Sequence, residues 1–150
     1  MKYFLTLSLT IIIAQVAAAQ STEDSVKAAV NEMFTAMRNS DSVALLNSFS
    51  STAVLQTIAR NKEGQTIVRT ENVSGFGSSI SKLGKGDADE RISFGAIHID
   101  GPMASVWTPY EFYFKGNFSH CGVNSFQLVR INGVWKIQYI IDTRRKDNCK

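Results

Sequence analysis

The chain has 150 residues, with 16 Lys and Arg against 13 Asp and Glu and a formal net charge of +3. That length suits one ordinary domain, and so small a basic surplus argues against nucleic acid or an anionic membrane as a partner. Two cysteines and two histidines with no metal-ligand spacing argue against a metal site, and no cofactor is expected.

In chain order, Lys2 precedes a mostly apolar run from Leu5 to Val16 that closes on Ala17-Ala18-Ala19. This is the layout of a secretory signal peptide over residues 1–19, cut before Gln20. A membrane anchor needs about 20 apolar residues, and this run is shorter. The expected product is a single secreted or periplasmic domain, 20–150, with no membrane attachment after cleavage. An oxidising compartment lets Cys121 pair with Cys149, closing a loop of about 28 residues worth roughly 3 kcal/mol.

Ser21 to Asp24 opens a first helix, in which Val26, Val30, Met33 and Met37 recur at helical spacing beside Ala29 and Phe34. Ser40-Asp41 caps a shorter second helix bearing Val43, Leu46 and Phe49 on one side, with Leu45 adjoining. Thr52 to Ala59 and Gln65 to Glu71 read as strands, and Ser78 to Leu83 as a short third helix. Four strand runs follow, Arg91–Ile99, Met103–Phe114, Phe118–Ile131 and Val134–Thr143, separated by Asp100-Gly101, Gly116-Asn117 and Asn132-Gly133. Helices followed by a long antiparallel sheet make an α+β fold, with the sheet curling like a cone around the helices.

Two-residue turns at Gly116-Asn117 and Asn132-Gly133 set a register. One face then carries Trp107, Glu111, Tyr113, His120, Asn124, Phe126 and Tyr139. Val129, Gln127, Lys136, Gln138 and Asp142 fall on the wetter side. The first face has the makeup of a small-molecule pocket, apolar with a few placed polar groups. The same aromatics also suit plain core, and the inward position of Glu111 depends on the register.

The element order resembles the nuclear-transport-factor-2-like (NTF2-like) superfamily of cone-shaped α+β proteins. Tyr110-Glu111-Phe112, the run His120 to Phe126, Gly133 to Ile137 and Asp142-Thr143-Arg144-Arg145 are similar to a secreted bacterial branch labelled lumazine-binding-like or SnoaL-like. The resemblance implies homodimers through the convex sheet face, here Val129, Gln127, Gln138 and Ile140. Ketosteroid isomerases of the superfamily carry a catalytic carboxylate on the strand after helix two. Here that stretch reads Ser51-Thr52-Ala53-Val54-Leu55-Gln56, with no acid. Three roles stay open: a binding module for a small, partly aromatic molecule, an acid/base enzyme (lyase, isomerase or hydrolase) using Glu111 and His120, and a dimeric scaffold.

Overall fold

The computed structural model describes residues 22–149; the signal peptide expected over 1–19 lies outside them. Helix α1 (22–38) buries Val26, Val30, Met33, Phe34 and Met37, the stripe its periodicity predicts. Helix α2 (Ser42–Asn47) starts where the Asp41 side chain accepts from the Ala44 amide. Helix α3 (Val73–Ile80) begins earlier than its sequence suggests. Asn72 caps it by accepting from the Gly75 amide at 2.6 Å, and Gly77 lets its backbone lie against Leu46. Among the described residues no helix is long and apolar enough to cross a membrane.

Seven strands form one curved, unclosed sheet: β1 (Phe49–Arg60), β2 (Thr66–Glu71), β3 (Ala88–Ile92), β4 (Ala96–Asp100), β5 (Met103–Phe114), β6 (Asn117–Ile131) and β7 (Val134–Arg145). Their order is β2-β1-β7-β6-β5-β3, with β4 also pairing β5. The α+β architecture stands, with two corrections. The sheet is mixed, because β1 runs parallel to β7. The run expected over Arg91–Ile99 is broken into β3 and β4 at Ser93–Gly95, although the Ser93 and Gly95 amides still bond to β5 carbonyls.

The helices cover the concave face. Phe34 meets Phe126 edge to face, with ring centres 5.9 Å apart. Phe126, Leu128 and Ile137 are fully buried, each worth about 1.5–3 kcal/mol of apolar transfer. Trp135 donates its indole N–H to Ser25 Oγ at 3.1 Å, satisfying that polar atom while tying β7 to α1.

The Asn132-Gly133 turn is as expected. Both residues have positive φ, and Ile131 pairs Val134, Arg130 pairs Trp135 and Leu128 pairs Ile137. Beyond that point the expected register fails twice. Gln138 is an extra residue on β7, so Gln127 pairs Tyr139 and Phe126 pairs Ile140. The other hairpin turns at Lys115-Gly116 rather than Gly116-Asn117, and Ser119 is an extra residue on β6. Glu111 therefore pairs Cys121, not Gly122. Each net slip is one residue, and one residue exchanges the faces of a strand.

Candidate functional site

The slips remake the site. Three residues of β6, His120, Asn124 and Phe126, line a concave-face cavity of about 380 Å³, as their sequence positions suggest. Trp107, Glu111, Tyr113 and Tyr139 do not line it. Trp107 is 50% exposed. The Tyr113 hydroxyl donates to Glu111 Oε2 at 3.0 Å, and the Arg91 guanidinium lies 4.1 Å over the Tyr113 ring. That bond to Glu111 holds the phenol above its ordinary pKa. The Tyr139 hydroxyl donates to Gln56 at 2.6 Å. Glu111 and His120 thus lie on opposite faces and cannot serve one substrate atom as acid and base. Conversely, Asp142, placed on the wetter face by the sequence register, and Ile140, assigned to the convex dimer face, both line the cavity.

The polar end of the cavity is built from four strands. On β3, Glu90 lies in phase with Ala88 and Ile92, so the alternation that buries them turns its carboxyl inward. Asn124 on β6 donates to Glu90 Oε1 at 2.7 Å. Burial raises the Glu90 pKa to about 7, with the nearby Asp142 charge adding to the rise and Asn124 and Arg144 opposing it. On β5, the Tyr110 hydroxyl shares its proton between the Thr143 carbonyl (2.9 Å) and Asp142 Oδ2 (3.2 Å). Burial and Asp142 hold that phenol far above its ordinary pKa. On β7, Arg144 Nε donates to Asp142 Oδ2 at 2.8 Å, and Nη2 reaches Thr57.

Gly122 makes this arrangement possible. It pairs with Tyr110 on one side and Arg144 on the other. A Cβ there would collide with the Thr143 carbonyl oxygen and stand 2.8 Å from the Tyr110 hydroxyl. Only a bare Cα lets Tyr110 cross β6 to reach β7.

His120 borders the same end. Its ring meets Tyr110 edge-on at 5.7 Å and tilts over Phe112 at 5.1 Å, while Ser119 Oγ sits 3.1 Å from Nδ1. Burial, then the Arg144 charge, lowers its pKa, which favours the neutral imidazole at pH 7. The other walls are apolar, from Met33, Phe34 and Met37 of α1 to Ile80 of α3. Cys121 and Cys149 are joined in a disulfide that fastens the C-terminal segment to β6 next to His120. Among the described residues, no group of three His, Cys, Asp or Glu could hold a metal ion.

The sequence reading missed Glu90, Tyr110, Asp142 and Arg144. Glu90 had a visible signal, an acid in the apolar phase of Ala88, Glu90 and Ile92. Tyr110 had a weaker one, in phase with Ala104, Val106 and Phe112. Asp142 and Arg144 had none in the strand phase, because the extra residue Gln138 reverses their face.

No family model matches the chain, and no curated protein matches it. Solved structures do. An NTF2-like protein of unknown function from Shewanella baltica OS155 superposes with a TM-score of 0.66 at 14% identity, over 85% of this chain and 96% of that one. Another NTF2-like protein of unknown function, from Silicibacter pomeroyi DSS-3, gives 0.66 at 16% identity over 85% and 98%. A domain of unknown function with a cystatin-like fold from Nostoc punctiforme PCC 73102 gives 0.64 at 13% identity over 84% and 78%. The element order, the curved mixed sheet and these superpositions together establish that the chain has the NTF2-like fold.

Proposed function

We propose that this protein is a binding module that holds a small, partly aromatic molecule in the concave-face cavity. The observation that carries this reading is the cavity itself: about 380 Å³, walled by Phe34, Phe112 and Phe126, with hydrogen-bonding groups gathered at one end. That volume and that distribution suit a small-molecule site. Native mass spectrometry of the protein purified from its source tests it, with Phe126→Trp as a cavity-filling control. A bound mass present in the parent and absent from the variant is expected. A parent that arrives without ligand, and whose melting is unmoved by a library of small aromatics, overturns the reading.

One observation favours a second, enzymatic reading. Glu90 has a pKa of about 7 inside a cavity shared with His120 and Tyr110, and a carboxyl titrating near working pH suits general acid or base catalysis. The acid in that role is Glu90, not Glu111. Turnover of any bound ligand, lost in Glu90→Gln while binding persists, would favour this reading over simple binding.

Two further proposals concern context. Residues 1–19 serve as a secretory leader, tested by N-terminal sequencing of the exported product, which should begin at Gln20. The convex face, with Trp107 and Met103 half exposed beside Val129, Gln127 and Gln138, pairs two copies. Sedimentation of the parent and of Trp107→Ala tests that pairing.

A further inference from the structure

We propose that the cavity selects an organic cation, a compact aromatic body bearing a charged nitrogen that settles between Glu90 and Asp142. The inference rests on the ligand-binding reading above and narrows it to one charge class.

Three carboxyl groups line the cavity, those of Glu71, Glu90 and Asp142, against a single guanidinium, that of Arg144, and no lysine. In a chain whose basic residues outnumber its acidic ones, 16 to 13, the cavity runs against the overall balance. Its one guanidinium is already engaged, by Asp142 at 2.8 Å and Thr57 at 3.2 Å. An anionic ligand would meet three carboxyl groups and no free cation.

The hydrogen bonds point the same way. Among the described residues Asn124 is the only donor to Glu90, and it uses Oε1. Both donors to Asp142, Tyr110 and Arg144, use Oδ2. Glu90 Oε2 and Asp142 Oδ1 therefore receive no hydrogen bond from the described residues, and neither is among the sealed, unbonded polar atoms of those residues, which are Ser40 Oγ and Thr108 Oγ1. Glu90 and Asp142 both line the cavity, and each keeps an acceptor oxygen that a ligand's donor could use. Burial first, and then the Asp142 charge, raise the Glu90 pKa, so the two carboxyls sense one another and a cation near both is favoured over an anion. Tyr110, Phe112 and Phe126 also line the cavity, and aromatic rings attract cations at their faces.

The pH dependence has a definite sign. The groups acting on Glu90 are Asn124 of β6, Tyr110 of β5, and Asp142 and Arg144 of β7, with His120 of β6 and Glu71 of β2 elsewhere in the lining; α1 presents apolar side chains, and α3 adds one polar residue, Ser79. A cation needs the ionised Glu90 carboxylate. Affinity should therefore rise as pH climbs through about 7 and fall about tenfold per unit below it.

The test uses three probes on one carbon frame, 2-naphthamidine (a cation throughout this range), 2-naphthamide and 2-naphthoate. Each is titrated calorimetrically into the disulfide-intact protein and its Glu90→Gln variant at pH 6 and pH 8. At pH 8 the amidinium should bind about tenfold or more tighter than the amide, with the carboxylate weakest. Its affinity should drop about tenfold at pH 6, and Glu90→Gln should erase that pH dependence and narrow the amidinium's lead over the amide, the Asp142 carboxyl being still in place. Should the variant not fold, the parent's own pH 6 to pH 8 ratio decides. Equal or better binding of the amide or the carboxylate overturns the cation inference and leaves the ligand-binding reading standing. If none of the three binds at either pH, both fall.

Discussion

The two ends of the β5–β6–β7 meander are made of the same strands and behave as different materials. Near the Asn132-Gly133 turn, Leu128, Ile137 and Trp135 lie in uninterrupted register under α1, and all are buried. Past Gln138 on β7, and between Leu128 and Ser119 on β6, the same face carries Asn124, His120, Asp142 and Arg144 and lines the cavity. The polar end is also where Tyr110 leaves its own strand's lane to bond across β6. An extra residue in a strand adds twist and turns side chains over. Here two such residues convert one half of a hydrophobic wall into a site without a change of strand or of topology.

Substitutions can break or sharpen that contrast. Leu128→Ala, in the regular half, should cost about 2–5 kcal/mol in denaturant unfolding while leaving ligand affinity per folded molecule intact. Cys149→Ser removes a bond spanning 28 residues and should cost roughly 3 kcal/mol, seen as a lower melting temperature under non-reducing conditions. Gly122→Ala, at the centre of the irregular half, should cost about 1–3 kcal/mol. It should also free the Tyr110 hydroxyl, detectable as a downshifted phenol titration. Intact Tyr110 bonds in a crystal structure of Gly122→Ala would contradict the role given to this glycine.

Glu90→Gln should act in the opposite direction. The Glu90 pKa is about 7 in the folded chain, above the ordinary value of 4.5. The unfolded chain therefore gives up this proton first, and stability falls as pH rises from about 4.5 to about 7, then levels. The variant should be more stable than the parent by about 1–3 kcal/mol at pH 8, with the gap closing near pH 4. A gap that does not change with pH would show that Glu90 is not buried as described. The smallest effect belongs to the convex side: Trp107→Ala should change monomer stability by about 0.5 kcal/mol or less and show itself only in self-association.

The same contrast governs how much could be read before the structure. The stripe of α1, the Asp41 cap and the Asn132-Gly133 turn are local, and each has a side chain or backbone demand that only a few residue types meet. The half of the meander beside that turn follows by counting. The irregular half does not, because nothing in Ser119 or Gln138 as residue types announces an extra position. Gln138 is held by partners far off in sequence: its amide oxygen accepts from Ser50 Oγ at 2.6 Å, and its amide nitrogen donates to the Thr52 carbonyl. Lys115 at φ 51° is likewise an uncommon turn residue. Of the seven side chains assigned to the pocket, the three on β6 line the cavity and the four on β5 and β7 do not. Parity counted from a hairpin survives only to the first irregularity.

The parallel contact of β1 with β7 bears on how the chain comes to be folded. Gln56 and Tyr139, bonded through their side chains, are 83 residues apart, and no hairpin brings them near. During vectorial synthesis, β1 and β2 can pair as soon as both emerge, but the other edge of β1 stays bare until β7 arrives. A bare edge is a template for wrong partners, and pairings this distant form slowly. The interval between the appearance of β1 and of β7 is thus the period in which this protein is most exposed to aggregation, and a holding chaperone would have most to do in it.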